Sequence, residues 1–115
     1  MSRKKGYYYE QKAKHYLTSL LVHPHTVLHE NFTCRMGEID LITQSQNTLH
    51  FVEVKYRRSE YFMHPLESIT YTKQRKLTKT ALFYLQTHPH YQKMTSQFDV
   101  ICITNAELEW FPNAF

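Results

Sequence analysis

The chain has 115 residues and a formal charge of +4, a length that predicts one domain over residues 1–115 with a core of its own. Two cysteines, Cys34 and Cys102, stand far apart and in no CxxC pair, which argues against a disulfide-framed secreted scaffold. The opening MSRKKGYYYE has no apolar stretch of the signal-peptide kind, and no segment approaches the roughly 20 apolar residues of a membrane span. A cytoplasmic protein with no membrane partner is therefore expected. The basic balance suits an anionic partner such as nucleic acid, although many small proteins share it.

From Tyr7 to Leu21, apolar residues fall at Tyr9, Ala13, Tyr16, Leu17, Leu20 and Leu21, the spacing of a helix with one buried face. Pro24 closes that pattern. Glu10 lies three residues before Ala13 and points toward the apolar face, an odd place for a carboxylate with no task. Two short extended pieces follow, around Thr26–His29 and Phe32–Arg35, and Met36-Gly37 breaks the run. Glu38–Gln44 and Leu49–Tyr56 read as a hairpin joined by a four-residue loop, Ser45 to Thr48. Residues 57–65 read as a loop. Tyr71–Thr87 is helical, with Lys73, Leu77, Ala81, Tyr84 and Leu85 on one face and Pro89 as its stop. Phe98–Thr104 looks like a buried strand and Leu108–Phe111 like a short last one. The order predicts an α/β fold, a mixed sheet flanked by helices.

The hairpin permits a register calculation. If Gln44 pairs with Leu49, Asp40 stands opposite Glu53. Opposed residues of an antiparallel pair have Cβ atoms about 4.5–5.5 Å apart. Two carboxylates that close repel unless one is protonated or a cation lies between them. Lys55 follows Glu53 on the same face, roughly 6.5 Å along. Hard divalent cations such as Mg²⁺ take carboxylate oxygens together with water and phosphate oxygens, and such an ion activates water for phosphodiester hydrolysis. A solvated cross-strand ion network would use the same residue types. Against it, Leu41, Ile42, Phe51, Val52 and Val54 make these core strands, where acids are costly.

GEIDLI (Gly37–Ile42) followed by FVEVKYR (Phe51–Arg57) resembles the signature of the YraN-type family of small bacterial proteins. That family is similar to restriction-endonuclease-like nucleases of the PD-(D/E)XK class and to archaeal-type Holliday-junction resolvases. The resemblance takes in Gly6, Glu10, Ala13 and Leu17, then Asn31 and Arg35, the run from Lys73 to Leu85, Phe98-Asp99-Val100 and Asn113-Ala114-Phe115. It implies a three-layer restriction-endonuclease-like core with a central mixed sheet. Asp40 would take the role of the motif Asp, and Glu53 and Lys55 those of the E-x-K pair. Glu10 would be the helix-borne acid and the Val54 carbonyl a further ligand of Mg²⁺ or Mn²⁺. Glu38 would be an acid typical of the family. Gln97 and His64 depart from its pattern, where an Arg and a Gly are usual. DNA, branched or structured DNA included, would be the substrate of an endonuclease, and a homodimer is compatible with the junction-cutting relatives.

Arg35, Arg57, Arg58, Lys73, Arg75, Lys76 and Lys79 surround the acid patch in sequence. Phosphate contact and a plain solvated helix face both fit them. Tyr7, Tyr8 and Tyr9 are either base-stacking residues or part core and part rim. His23, His25, His29, His88 and His90 read as surface histidines rather than a zinc set. Both cysteines read as small core residues. Two functions follow from the residues: a metal-dependent endonuclease, or a non-catalytic nucleic-acid-binding module on the same fold. A third, an interaction protein without nucleic acid, would bind neither DNA nor RNA at low salt.

Overall fold

The structure, a computed structural model, describes residues 3–58, 64–105 and 107–115, and the side chains from Gly6 onward. The start of the basic tail and most of the expected 57–65 loop lie outside the described residues. The elements run α1 (Arg3–Thr18), β1 (Thr26–Cys34), β2 (Gly37–Ser45), β3 (Thr48–Arg57), α2 (Tyr71–Thr87), β4 (Thr95–Thr104) and β5 (Glu107–Phe111), with short 3-10 turns at Pro65–Ser68 and Pro89–Tyr91. One sheet holds all five strands in sequence order. β3 and β4 are parallel and the other neighbours antiparallel. The parallel pair needs a long return, which α2 supplies.

Alternation along the strands builds two cores. Leu41, Val52, Ile101 and Ile103 pack with Tyr9, Ala13 and Leu17 of α1. Ile42, Phe51 and Val100, which point the other way, pack with Leu77, Ala81 and Tyr84 of α2. The sheet therefore lies between the two helices, each of which buries one stripe. Each fully buried Leu or Ile contributes about 1.5–3 kcal/mol against exposure.

α2 spans the expected residues because its ends are chemically marked. The Thr70 hydroxyl caps it by accepting the Lys73 N–H at 3.2 Å, and Pro89 follows its last turn. α1 stops at Thr18, earlier than the apolar pattern implied. Thr18 turns its hydroxyl onto the Lys14 carbonyl at 2.9 Å, and Leu21 is fully exposed beyond it. The two extended pieces expected at Thr26–His29 and Phe32–Arg35 are one strand, interrupted by a bulge at Val27/His29 and a positive φ of 52° at Asn31. The expected four-residue hairpin loop is shorter. Ser45 pairs with Thr48, leaving Gln46 and Asn47 as the turn, with Gln46 at φ 54°. The polar run Ser45–Thr48 masked two strand residues.

Gly37 opens β2 at φ +154°, and a Cβ there would meet the Thr80 hydroxyl at 3.0 Å. The β1–β2 turn thus closes directly against α2. Gly37→Ala adds a clash to a backbone angle that side chains disfavour. It is expected to cost about 1–3 kcal/mol, read as a lowered midpoint in urea.

Candidate active site

The hairpin register brings the two acids together as expected. Paired positions run from Ser45–Thr48 to Leu41–Val52, and the next step sets Asp40 against Glu53. There the backbone ladder gives way to a side chain, and Asp40 Oδ2 accepts the Val54 N–H at 2.8 Å. Residues two apart on a strand normally share a face. Ile39 instead joins the core under α2, and Leu41 the core under α1. On the neighbouring strand, the positive φ of Asn31 marks the same level of the sheet. Asp40 therefore stands where the sheet changes its alternation.

Glu10 reaches it from α1, hydrogen-bonded to Asn31 and to Asp40. Glu53 hydrogen-bonds Asp40 from β3 and is itself buried. Burial first, then the Glu53 charge, pushes the Asp40 carboxyl up to about 9. Burial likewise raises Glu10, with Glu38 and Glu30 adding to it. Acids held this close disfavour one another's ionised forms, a repulsion that a shared proton or a bound cation relieves.

Two lysines complete the patch. Lys73 of α2 forms an ion pair with Glu53, and Lys55 Nζ lies 3.9 Å from the same carboxylate oxygen. Burial and the neighbouring Lys73 lower the proton affinity of Lys55. Burial works in the same direction on Lys73, but the bond to Glu53, the contact with Lys55 and the charges of Glu53 and Asp40 together outweigh it and leave Lys73 raised. Asp40 thus meets Glu10, Glu53 and the Val54 N–H, and Glu53 in turn meets Lys55 and Lys73, the last of which sequence grouped with the phosphate-contacting cations. Among the described residues no three His, Cys, Asp or Glu side chains form a group that could hold a metal ion. The donor chemistry nevertheless fits a hard cation: carboxylates around Asp40, and a Val54 carbonyl directed to the same side of its strand as the N–H that Asp40 holds.

The remaining cations lie further out. Arg75 and Lys76 are exposed on α2, and Arg35 is exposed in the β1–β2 turn that abuts the Lys76 backbone. Arg57 is half-buried at the end of β3, Arg58 is exposed just past it, and Glu38 is exposed on β2. Tyr7 and Tyr8 are exposed, whereas Tyr9 is buried and stacks on Tyr56 at 4.1 Å. Cys102 is buried, Cys34 is half-buried and both are free thiols. Asn31 was legible only as part of the run before the acid motif, because its bond to Glu10 depends on how α1 docks.

A second polar cluster lies apart from the acids. Asp99 is fully buried and accepts from His50 Nδ1 at 2.7 Å, Gln97 Nε2 at 2.8 Å, Trp110 Nε1 at 3.0 Å and the Asn113 N–H at 3.0 Å. His25 is buried beside it, against expectation for a surface histidine, because its Nδ1 meets Thr43 Oγ1 at 2.7 Å and its ring lies 4.3 Å from His50. Burial, then His50, lowers the His25 pKa to about 4, against a smaller pull from Asp99. A free histidine titrates near 6.5. As pH falls below that value the unfolded chain takes a proton that the folded chain refuses. Stability is therefore expected to drop between about pH 6.5 and 4, by up to about 3 kcal/mol. Urea midpoints across that range check this, and His25→Asn should flatten the slope.

The chain belongs to the uncharacterised protein family UPF0102, whose profile matches residues 9–103. Its relatives include a UPF0102 protein of Coxiella burnetii, 40% identical over 115 residues that cover 99% of this chain and 93% of the relative. A UPF0102 protein of Yersinia enterocolitica is 40% identical over 116 residues, covering 98% and 95%. One from Francisella tularensis subsp. novicida is 46% identical over 79 residues, covering 69% and 68%. No helix among the described residues is long and apolar enough to cross a membrane.

Proposed function

We propose that this protein is a divalent-metal-dependent endonuclease on a restriction-endonuclease-like core, hydrolysing phosphodiester bonds in DNA. The observation that carries this reading is the packing of Asp40 between Glu10 and Glu53, with Lys55 and Lys73 at their edge. A purely structural sheet gains nothing from setting the half-buried acids Glu10 and Asp40 beside the buried Glu53. Asp40, Glu53, Glu10 and the Val54 carbonyl would hold Mg²⁺ or Mn²⁺. When bound, the ion supplies activated water and charge stabilisation at the phosphate.

The chain's own residues do the rest. Lys55, whose Nζ lies 3.9 Å from the Glu53 carboxylate, is suited to hold a phosphate oxygen or orient the attacking water. Lys73 keeps its charge and is the nearest cation for a phosphate oxygen. Arg35, Arg75 and Lys76, exposed around the patch, supply further phosphate contacts whose strength falls with salt.

One observation favours a second reading. The Glu53 carboxylate is taken by Lys73, as it would be in a nucleic-acid-binding module that never loads metal. Incubating the protein with labelled linear, flapped and four-way DNAs in Mg²⁺ or Mn²⁺ separates the two. The endonuclease cuts at least one substrate, and Lys55→Ala and Glu53→Ala remove the activity. Salt-sensitive binding with no scission under either metal would sink the endonuclease and leave the module.

A further inference from the structure

The outward stripe of α2 carries a second feature that the acid patch does not use. Tyr71, Gln74, Arg75 and Lys79 line a cavity of about 380 Å³ that Phe98 and Phe115 close from the sheet side. A neighbouring cavity of about 250 Å³ shares Tyr71, Arg75 and Lys79 and adds Thr72 and Lys76. Among the described residues neither lining includes an acid. Tyr71 is 74% exposed, and the Arg75 guanidinium lies 6.0 Å from its ring centroid. Phe98 and Phe115 stack at 5.0 Å and 14°. The larger cavity falls within the range of small-ligand pockets, roughly 300–1,000 Å³.

Aromatic faces interleaved with cations that meet no acid among the described residues select a ligand that is planar and anionic at once. An acidic peptide would satisfy the cations and leave the rings idle. A nucleic-acid strand satisfies both, with bases on the rings and phosphates on Arg75, Lys76 and Lys79. A paired base keeps its faces inside the duplex, so the pocket requires an unpaired one. Its place is also informative. Phe98 lies opposite Phe51 on β3, and Glu53 is two residues on along the same face. Strand spacings put the Phe98 and Glu53 backbones roughly 8 Å apart, on the order of two nucleotide steps.

We infer that the Tyr71–Phe98–Phe115 pocket holds an unpaired nucleobase next to the acid patch, so the preferred ligand has a single-stranded segment, as in a flap or an open junction. This rests on the proposed function only for the meaning of the adjacent acids. The binding itself is read without metal.

The test is fluorescence anisotropy in chelator-containing, low-salt buffer, with short oligothymidylate, a blunt duplex and a flapped duplex as probes. Wild type should bind the oligothymidylate and the flap more tightly than the blunt duplex. Tyr71→Ala and Phe115→Ala should each weaken single-strand binding by about fivefold or more, and blunt-duplex binding several times less. Tyr71→Phe should restore the preference, since stacking needs the ring and not the hydroxyl. Equal losses on both probe types, no loss on either, or polyglutamate competing as well as oligothymidylate would overturn the inference. Metal-dependent cutting by a wild type that lacks the preference would overturn the pocket and leave the endonuclease. A pocket-dependent preference without cutting under any metal would do the reverse.

Discussion

Asp40→Asn is expected to give a protein that melts higher than wild type and cuts nothing. The asparagine oxygen still accepts the Val54 N–H that Asp40 now holds at 2.8 Å. Its amide nitrogen donates to Glu10 or Glu53, where the native carboxyl adds a third acid to a buried group. The native carboxyl, pushed up to about 9, must take up a proton to fold at neutral pH, whereas the amide needs none, so stability should rise by about 0.5–2 kcal/mol. Activity should fall by about a thousandfold or more, since residues that act as a unit fail together. Thermal melting and cleavage of the best DNA substrate check the two halves. An Asp40→Asn protein that melts lower, or that cuts like wild type, contradicts this reading of the cluster.

Asp99→Ala is expected to produce the largest loss of stability in the molecule, about 3–5 kcal/mol. Burial alone would raise the Asp99 carboxyl. Its bonds to His50, the Asn113 N–H and Gln97 outweigh that and hold it below the ordinary value. Truncation leaves those donors and Trp110 Nε1 inside the protein with no acceptor, each costing about 1–3 kcal/mol when not rescued by water. Asp99→Asn keeps one oxygen and turns an N–H toward donors, so it should cost less than Asp99→Ala but remain destabilising. For a chain of this size the alanine variant should melt about 10–20 °C lower. Both Asp99 variants should retain metal binding at Asp40. Loss of metal binding in a folded Asp99→Asn would tie the two clusters together, against their separation in the fold.

Much of this architecture is written locally in the sequence. α2 is bounded by Thr70 and Pro89, and the hairpin register follows once Gln44 is set against Leu49. Asp40, Glu53 and Glu10 were each visible for one reason: an acid at a position whose neighbours are core. Asp99 carries the same signal, within the apolar run Phe98–Thr104, and the FDV pattern could have been read as a second buried acid. Its partners could not. His50 lies 49 residues away and Trp110 11, and no periodicity announces a contact of that kind. The Lys73–Glu53 pair is hidden for the same reason, since only the docking of α2 on the sheet makes it. Leu20 and Leu21 misled in the other direction. They continue the helical spacing of α1, but the helix ends at Thr18 and Leu21 reaches solvent.

The most direct measurement of the central claim is calorimetric titration of Mn²⁺ into the wild-type protein and into Asp40→Ala. Wild type should take up the ion with release of protons, because Asp40 holds a proton to about pH 9 without metal and ligands must lose theirs to bind. Running the titration in buffers of different ionisation enthalpy exposes that release. Asp40→Ala should show neither the binding nor the proton. Equal Mn²⁺ binding in the two proteins, or none in wild type, would contradict a metal centre at Asp40 and Glu53.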